Sequence, residues 1–200
     1  MITLYGKPLS GHVHRVRLVL SLLKLDYQFE IVSAFTPELR IMNPLAQVPI
    51  LKDGDFVLTD SNAIMVYLVK QYGTASSYLP DTPSDAAHVQ RWLSIAAGEL
   101  RQGPAAARMV SLFHKAGEPA NAIERAHALF AIMDAHLAQQ PFLATAFPTL
   151  ADFACYAYTA RAPEGGVDLQ PYPNIQSWLK RLEALPNFFP MPWADDLKKG

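Results

Sequence analysis

The chain has 200 residues, half of them hydrophobic, which is enough to bury a sizeable core in one domain or two small ones. Its 17 Lys and Arg against 18 Asp and Glu give a net charge of -1 without a run of like charge, so we expect neither nucleic acid nor a membrane as a partner. The single cysteine, Cys155, excludes an intrachain disulfide framework, and no export signal or membrane span is recognisable, so we expect a cytoplasmic protein.

The first part of the chain predicts a small mixed sheet covered by helices. A short apolar strand from Ile2 to Tyr5 stops at "GKP", and an amphipathic helix begins just after Ser10. The segment "DYQFEIV" alternates as a second strand does, and "FTPELRIMNP" predicts a turn with at most a short helix.

Two more strands and a helix complete this part. In "QVPILKDGDFVLTDS" two apolar runs are joined by Asp53-Gly54, a strong hairpin signal. The helix "SNAIMVYLVKQY" follows, with Asp60 or Ser61 as its cap and Gly73 at its end. We therefore predict an α/β domain over residues 1–75.

The remainder of the chain predicts a second, all-helical domain. Residues 76–85 are rich in Ser, Pro and Asp and are typical of a linker, and residues 86–200 have helical patterns throughout. A bend is expected at Gly103-Pro104, where the proline lacks an amide hydrogen. Thr149 followed by Asp152 predicts a capping box at the start of "LADFACYAY".

The chain also contains four segments whose order and spacing resemble those of the cytosolic glutathione transferases: "LYGKPLSGHVHRVRL", "NPLAQVPIL", "LTDSNAIMVYL" and "TLADFACYAY". The resemblance covers essentially the whole chain and is strongest to bacterial members that place a serine or cysteine after the first strand. It implies a thioredoxin-like first domain, an all-α second domain, and glutathione bound by the first as co-substrate. It also implies an electrophile bound between the domains, and a homodimer.

The resemblance assigns glutathione contacts to two motifs. It implies a cis bond at Val48-Pro49, after Gln47, so that the Val48 backbone can pair with the cysteinyl residue of glutathione. It also implies that Asp60 faces the ammonium group of the ligand, while Ser61 and the helix amides hold the γ-glutamyl carboxylate, as a helix N-terminus can. The alternative is that Asp60 or Ser61 is simply an N-cap.

Ser10 is the candidate activating residue. A hydroxyl that donates a hydrogen bond to sulfur at the positive end of a helix favours the thiolate of glutathione. His12 is close enough in sequence to be a rival or an assistant, whereas His14 is expected to pack against the sheet or the domain interface. A simple capping role for Ser10 stays open. The His-x-His pair lacks further ligands at a recognisable spacing, so we expect no metal site.

Two parts of the site are poorly specified by the sequence. Relatives in the resembling family commonly carry a longer loop before "NPLAQVP", with a basic residue for the glycyl carboxylate. Three alternatives stay open here: Arg40 or Gln47 substitutes for it, glutathione binds weakly, or the site serves another ligand. Location alone makes five residues of the second domain candidates for the electrophile pocket: Ala97, Arg101, Met109, Phe113 and His114. Cys155, in an apolar helix, is expected to be a buried structural thiol.

Three functions are compatible with these residues. The leading hypothesis is a glutathione transferase that activates the thiol for attack on small electrophiles. One alternative is a transferase-like scaffold that binds a protein partner without catalysis. The other is glutathione-dependent peroxidase or disulfide reductase activity, which needs the same thiolate.

Overall fold

A computed structural model describes residues 1–73, 78–114, 117 and 119–198. The chain divides into two units. The first contains Met1–Ser76 and Pro186–Phe189, and the second contains Ser77–Leu185 and Pro190–Gly200. Each unit has its own core, as expected of an α/β domain and an all-helical domain.

The first unit is a four-stranded mixed sheet with helices. Its elements in chain order are β1 (Ile2–Gly6), α1 (Gly11–Leu22), β2 (Tyr27–Ile31), α2 (Pro37–Met42), β3 (Ile50–Asp53), β4 (Phe56–Thr59) and α3 (Ser61–Tyr72). The strand order is β2-β1-β3-β4. β1 runs parallel to β2 and antiparallel to β3, and β3 runs antiparallel to β4 through the predicted Asp53-Gly54 turn.

The core of the first unit lies between this sheet and its helices. Leu4 of β1 and Leu51 of β3 are fully buried, as are Val16 of α1 and Ile64 of α3. The amphipathic pattern expected of α1 is present, since its apolar positions Val13, Val16 and Val19 are all buried.

The second unit contains the helices α4 (Pro83–Ala97), α5 (Ala106–Phe113), α6 (Pro119–Leu137), α7 (Leu150–Ala160) and α8 (Pro173–Glu183). The expected irregularity at Gly103-Pro104 is a π-helical segment, Arg101–Ala105, between α4 and α5. The predicted capping box is present: the Thr149 hydroxyl caps α7, and the buried Asp152 carboxylate accepts from the Thr149 amide.

Two details differ from the predicted boundaries. α4 begins at Pro83, inside the segment expected to be a linker, because the Thr82 hydroxyl caps it by accepting from the Asp85 amide at 3.4 Å. Residues 186–189, expected with the second domain, belong to the first unit. Among the helices described, none has the length and apolar character needed to cross a bilayer.

Candidate functional site

The strand register places three of the sequence motifs at one edge of the sheet. Tyr5 of β1 pairs with Ile50 of β3, and Ile50 pairs with Thr59 of β4, so these three residues form one row across the sheet. The Ser10 loop follows β1, Val48-Pro49 immediately precedes Ile50, and Asp60-Ser61 immediately follows Thr59. Because adjacent strands lie about 4.8 Å apart, β1 and β4 are separated by about 10 Å at this edge.

Ser10 is the N-cap of α1. Its backbone is extended, and its hydroxyl oxygen accepts a hydrogen bond from the Val13 amide at 3.3 Å. A hydroxyl group that accepts in this way still has its own proton to donate. The cap and the activating role are therefore compatible, since the cap bond uses the oxygen lone pair and a thiolate would use the O–H.

Asp60 is the N-cap of α3. Its Oδ1 accepts hydrogen bonds from the amides of Asn62 and Ala63, both at 2.9 Å. The residue is exposed, and its φ is 70°. Residues other than glycine rarely adopt this conformation, because it costs about 1–3 kcal/mol. The capping alternative is thus observed for Asp60, and its exposed carboxylate lies at the positive end of α3.

The first turns of α1 and α3 are joined by side chains. His12 Nδ1 lies 3.3 Å from Ser61 Oγ, and Arg15 donates from Nη1 to Asn62 Oδ1 at 2.8 Å and to Ser61 Oγ at 3.4 Å. Ser61 is buried, so its hydroxyl lies within this network as well as at the start of α3. These contacts connect the helix N-termini that carry Ser10 and Asp60.

Arg15 is a residue that sequence reasoning missed. Its side chain is 1% exposed, although it lies on a helix of 12 residues that also carries Arg17. A buried guanidinium requires hydrogen-bond acceptors, and Asn62 and Ser61 supply them here. Its spacing of three, four and seven residues from the buried Leu18, Val19 and Leu22 places it on a buried side of α1, but spacing does not name the partner of the guanidinium.

The loop before β3 is held by Asn43, another residue without a predicted role. The peptide bond Val48-Pro49 is cis, as the resemblance implied. Asn43 is buried; its Nδ2 donates to the Gln47 carbonyl at 2.8 Å, and its Oδ1 accepts from the Leu45 amide at 3.2 Å. The Gln47 side chain is exposed. Asn43 therefore fixes the backbone that leads into Val48.

The remaining polar candidates of the first unit lie in different surroundings. Arg40 is exposed in the last turn of α2. His14 is buried, and its contacts are with segment 186–189: its Nε2 donates to the Phe189 carbonyl, and its ring stacks on the Phe189 ring. The part of the chain that the structure describes contains no group of three His, Cys, Asp or Glu side chains arranged to hold a metal ion.

The five electrophile-pocket candidates all belong to the second unit and all are exposed there. Ala97 is the last residue of α4, and Arg101 opens the π-helical segment. Met109 and Phe113 are one turn apart on α5, and His114 is the left-handed cap that ends it. Cys155, by contrast, is fully buried within α7, as expected of a structural thiol.

Comparison with known proteins agrees with this geometry. Residues 4–76 match the family model for the glutathione S-transferase N-terminal domain, and residues 103–186 match the model for the C-terminal domain. Glutathione S-transferase 3 of Zea mays is 31% identical over 94% of this chain and 91% of its own. Glutathione S-transferase GstB of Escherichia coli K12 is 29% identical over 93% of this chain and 95% of its own.

Solved structures give the same result. A glutathione S-transferase from Pseudomonas fluorescens Pf-5 superimposes with a TM-score of 0.89 at 30% identity, over 95% of this chain and 98% of that one. A glutathione transferase homologue from Drosophila mojavensis, with bound glutathione, superimposes with a TM-score of 0.83 at 31% identity, over 92% of this chain and 88% of that one. With both domain models matched in order and relatives aligned over nearly their full length, the chain belongs to the glutathione S-transferase family.

Proposed function

We propose that the protein conjugates glutathione to small electrophiles and that Ser10 stabilises the attacking thiolate. The observation that carries the proposal is the position of Ser10: it caps α1 at the sheet edge where Val48-Pro49 and the N-terminus of α3 also lie. The relatives named above are glutathione transferases, and one was solved with glutathione bound.

The size of this edge suits an extended tripeptide. Three extended residues span about 10 Å, which matches the separation of β1 and β4. Because Asp60 Oδ1 caps the amides of Asn62 and Ala63, the γ-glutamyl carboxylate is assigned to the Ser61 amide and hydroxyl at the start of α3, and its ammonium group to the exposed Asp60 carboxylate. The cysteinyl backbone then pairs with Val48, and the sulfur comes to Ser10. For the glycyl carboxylate, Arg40 and Gln47 are the available contacts, and both are exposed.

The chemistry depends on the charge of the sulfur. A free thiol has a pKa of about 8.5 and is mostly protonated at neutral pH. The Ser10 O–H donates to the sulfur at the positive end of α1, which stabilises the thiolate, and each unit by which the thiol pKa falls corresponds to about 1.4 kcal/mol. The thiol proton passes to solvent, and the sulfur then forms a bond to the electrophilic carbon as the leaving group departs.

Several finer properties are part of the same proposal. We assign the electrophile to a pocket that includes Ala97, Arg101, Met109, Phe113 and His114, and detoxification as the role. We also infer a cytoplasmic homodimer of the bacterial type with a serine after the first strand. The support is the resemblance of the motifs, with the charge and cysteine content for the compartment.

The deciding experiment is titration of glutathione into wild type and Ser10→Ala, by calorimetry, with the thiolate absorbance of the bound ligand followed against pH. We expect similar affinity, but a thiol pKa that is higher in the variant by about one unit or more. Thr82→Ala, which removes the N-cap of α4 in the second unit, controls for the loss of a cap. Equal thiolate in wild type and Ser10→Ala would refute the role of Ser10.

Peroxidase or disulfide reductase activity, one of the alternatives above, is less favoured than conjugation by the names of the relatives. Glutathione-dependent reduction of peroxides or disulfides also begins with the thiolate, so turnover with hydroperoxides should be measured beside conjugation. The transferase names of the relatives do not favour a non-catalytic scaffold. If Ser10→Ala lost both activities, both would depend on the same glutathione thiolate.

A further inference from the structure

A segment from late in the chain lies on α1 in the first unit. Residues 186–189, which we call the strap, follow α8 and belong to the same unit as the sheet. Asn187 adopts a left-handed conformation with φ of 61°, which asparagine tolerates better than most residues, and it turns the chain within the strap.

The strap contacts one stripe of α1. His14 donates from Nε2 to the Phe189 carbonyl at 2.7 Å, and its ring stacks on the Phe189 ring with centroids 5.5 Å apart. The Arg17 guanidinium lies 4.5 Å from the centre of the same ring. Ser21 donates to the Asn187 carbonyl at 2.8 Å. Positions 14, 17 and 21 lie on one side of a helix, so the strap runs along its length.

His14 connects this contact directly to Ser10. Its amide donates to the Ser10 carbonyl at 2.8 Å, the first hydrogen bond of α1, and the neighbouring Val13 amide donates to Ser10 Oγ. The His14 side chain is 1% exposed. A shift of the His14 ring therefore moves the turn that holds the Ser10 hydroxyl, because a packed side chain cannot move independently of its backbone.

A different side of the same turn is attached to α3. Arg15 donates to Asn62, and His12 contacts Ser61. The first turn of α1 is thus held by α3 through residues 12 and 15, and by Phe189 through residues 14 and 17. Val13 and Val16 of the same helix are fully buried as well, so removing the Phe189 ring is expected to shift the start of α1 slightly rather than to release it.

We propose that Phe189 of the strap is a positioning residue for catalysis: it fixes the first turn of α1 so that the Ser10 hydroxyl points at the sulfur of glutathione. This rests on the proposed function of Ser10. Phe189 does not touch glutathione and acts through His14 and Arg17. Displacements of about 1 Å at a catalytic group can reduce turnover strongly, which gives this residue a measurable effect.

The test is Phe189→Ala with glutathione and an aryl halide. We expect the pKa of the bound thiol to rise by about 0.5 to 1 unit, and kcat at neutral pH to fall about three- to tenfold. The KM for glutathione should change less than twofold, roughly, because Val48, Asp60 and Ser61 are untouched. Phe189 is half-buried, so Phe189→Tyr keeps the ring in place. This variant should have the wild-type thiol pKa and kcat.

The controls separate positioning from stability. Phe147→Ala removes an exposed phenylalanine of the second unit and should leave the thiol pKa at its wild-type value. Phe189→Leu keeps apolar bulk but loses the ring contacts, so it should show an intermediate shift even if Phe189→Ala folds poorly. Thermal unfolding of each variant sets a measuring temperature at which all are folded.

Two results would overturn the proposal. One is a folded Phe189→Ala or Phe189→Leu with the wild-type thiol pKa and kcat, which would make the strap purely structural. The other is a Phe189→Tyr variant as impaired as Phe189→Ala. If wild type itself formed no thiolate, the proposed function of Ser10 would fail, which is a distinguishable outcome because it needs no strap variant.

Discussion

His12 Nδ1 lies 3.3 Å from Ser61 Oγ, so an imidazole from the first turn of α1 contacts a buried hydroxyl at the start of α3, 49 positions further along the chain. Ser61 also accepts from Arg15. The contact joins the helix N-terminus that carries Ser10 to the one that we propose holds the γ-glutamyl group. We therefore predict that His12 shapes the glutathione site, and the alternative, that His12 activates the thiol, is tested by its replacement.

Replacement of His12 should affect binding more than ionisation. In His12→Ala we expect the KM for glutathione to rise about two- to tenfold, the effect of one lost hydrogen bond. The pKa of the bound thiol should change by less than about 0.3 unit, since Ser10 remains. Steady-state kinetics and thiolate absorbance test both. Ser61→Ala should behave like His12→Ala, and a large pKa shift in His12→Ala alone would make His12 the activator.

Asp60 allows charge to be separated from capping. Asn caps helices about as well as Asp, so Asp60→Asn should leave the free energy of unfolding within about 0.5 kcal/mol of wild type. Glutathione affinity should fall about three- to tenfold, because the attraction between the carboxylate and the ligand ammonium is lost. Calorimetry and urea unfolding give the two quantities. Unchanged affinity would reduce Asp60 to an N-cap.

Arg15 and Asn62 should be energetically coupled. Arg15 Nη1 donates to Asn62 Oδ1 at 2.8 Å, and the guanidinium is buried. A double-mutant cycle with Arg15→Met and Asn62→Ala should give a coupling energy of about 1–2 kcal/mol. Each unfolding free energy is obtained from urea titration. Additive effects would show that α1 and α3 are not held together by this pair.

Tyr72 should report the charge of Asp53. Tyr72 and Tyr67 both donate to Asp53 Oδ2, and the hydrogen bond to this carboxylate, with burial, raises the pKa of Tyr72 from 10.0 to about 12. Asp53→Asn removes the negative charge and should lower this pKa toward its ordinary value. Alkaline titration followed by tyrosinate absorbance measures the change, and Tyr72→Phe identifies the titrating group.

The same pKa shift predicts a pH dependence of stability. The folded state holds the Tyr72 proton more tightly than the unfolded state, so the stabilisation is complete below about pH 10 and is lost as the pH rises to about 12. Wild type should therefore lose more stability than Asp53→Asn over this interval. If the free energy of unfolding fell equally with pH in the two proteins, the assignment to Tyr72 and Asp53 would be contradicted.

Much of the fold could be predicted from local patterns. The Asp53-Gly54 dipeptide fixed the hairpin because Gly54 supplies the positive φ of 59° that the turn needs. Thr149 and Asp152 marked the start of α7 because a capping box satisfies helix amides with neighbouring side chains. These signals lie within a few residues of their effects, so no tertiary knowledge was required.

The long-range relationships could not be predicted in this way. Nothing near Arg15 in sequence indicates that it would be buried against Asn62, and nothing near Phe189 indicates that it would lie on α1. Helix periodicity gives the side on which a residue lies, but not the element that covers that side. Asn43 was missed for a different reason: its partners, the Leu45 amide and the Gln47 carbonyl, are close in sequence but lie in a loop that has no periodic pattern.

The sequence by itself determined the family, the order of the elements, and which residues lie at helix N-termini. It could do so because caps, turns and amphipathic faces are encoded in neighbouring residues. Only the tertiary structure decided that Ser10, Pro49 and Asp60 share one edge of the sheet, since this depends on the register of three strands. It also decided that α1 is supported by α3 and by the strap. Such packing is selected by the whole core rather than by any local segment.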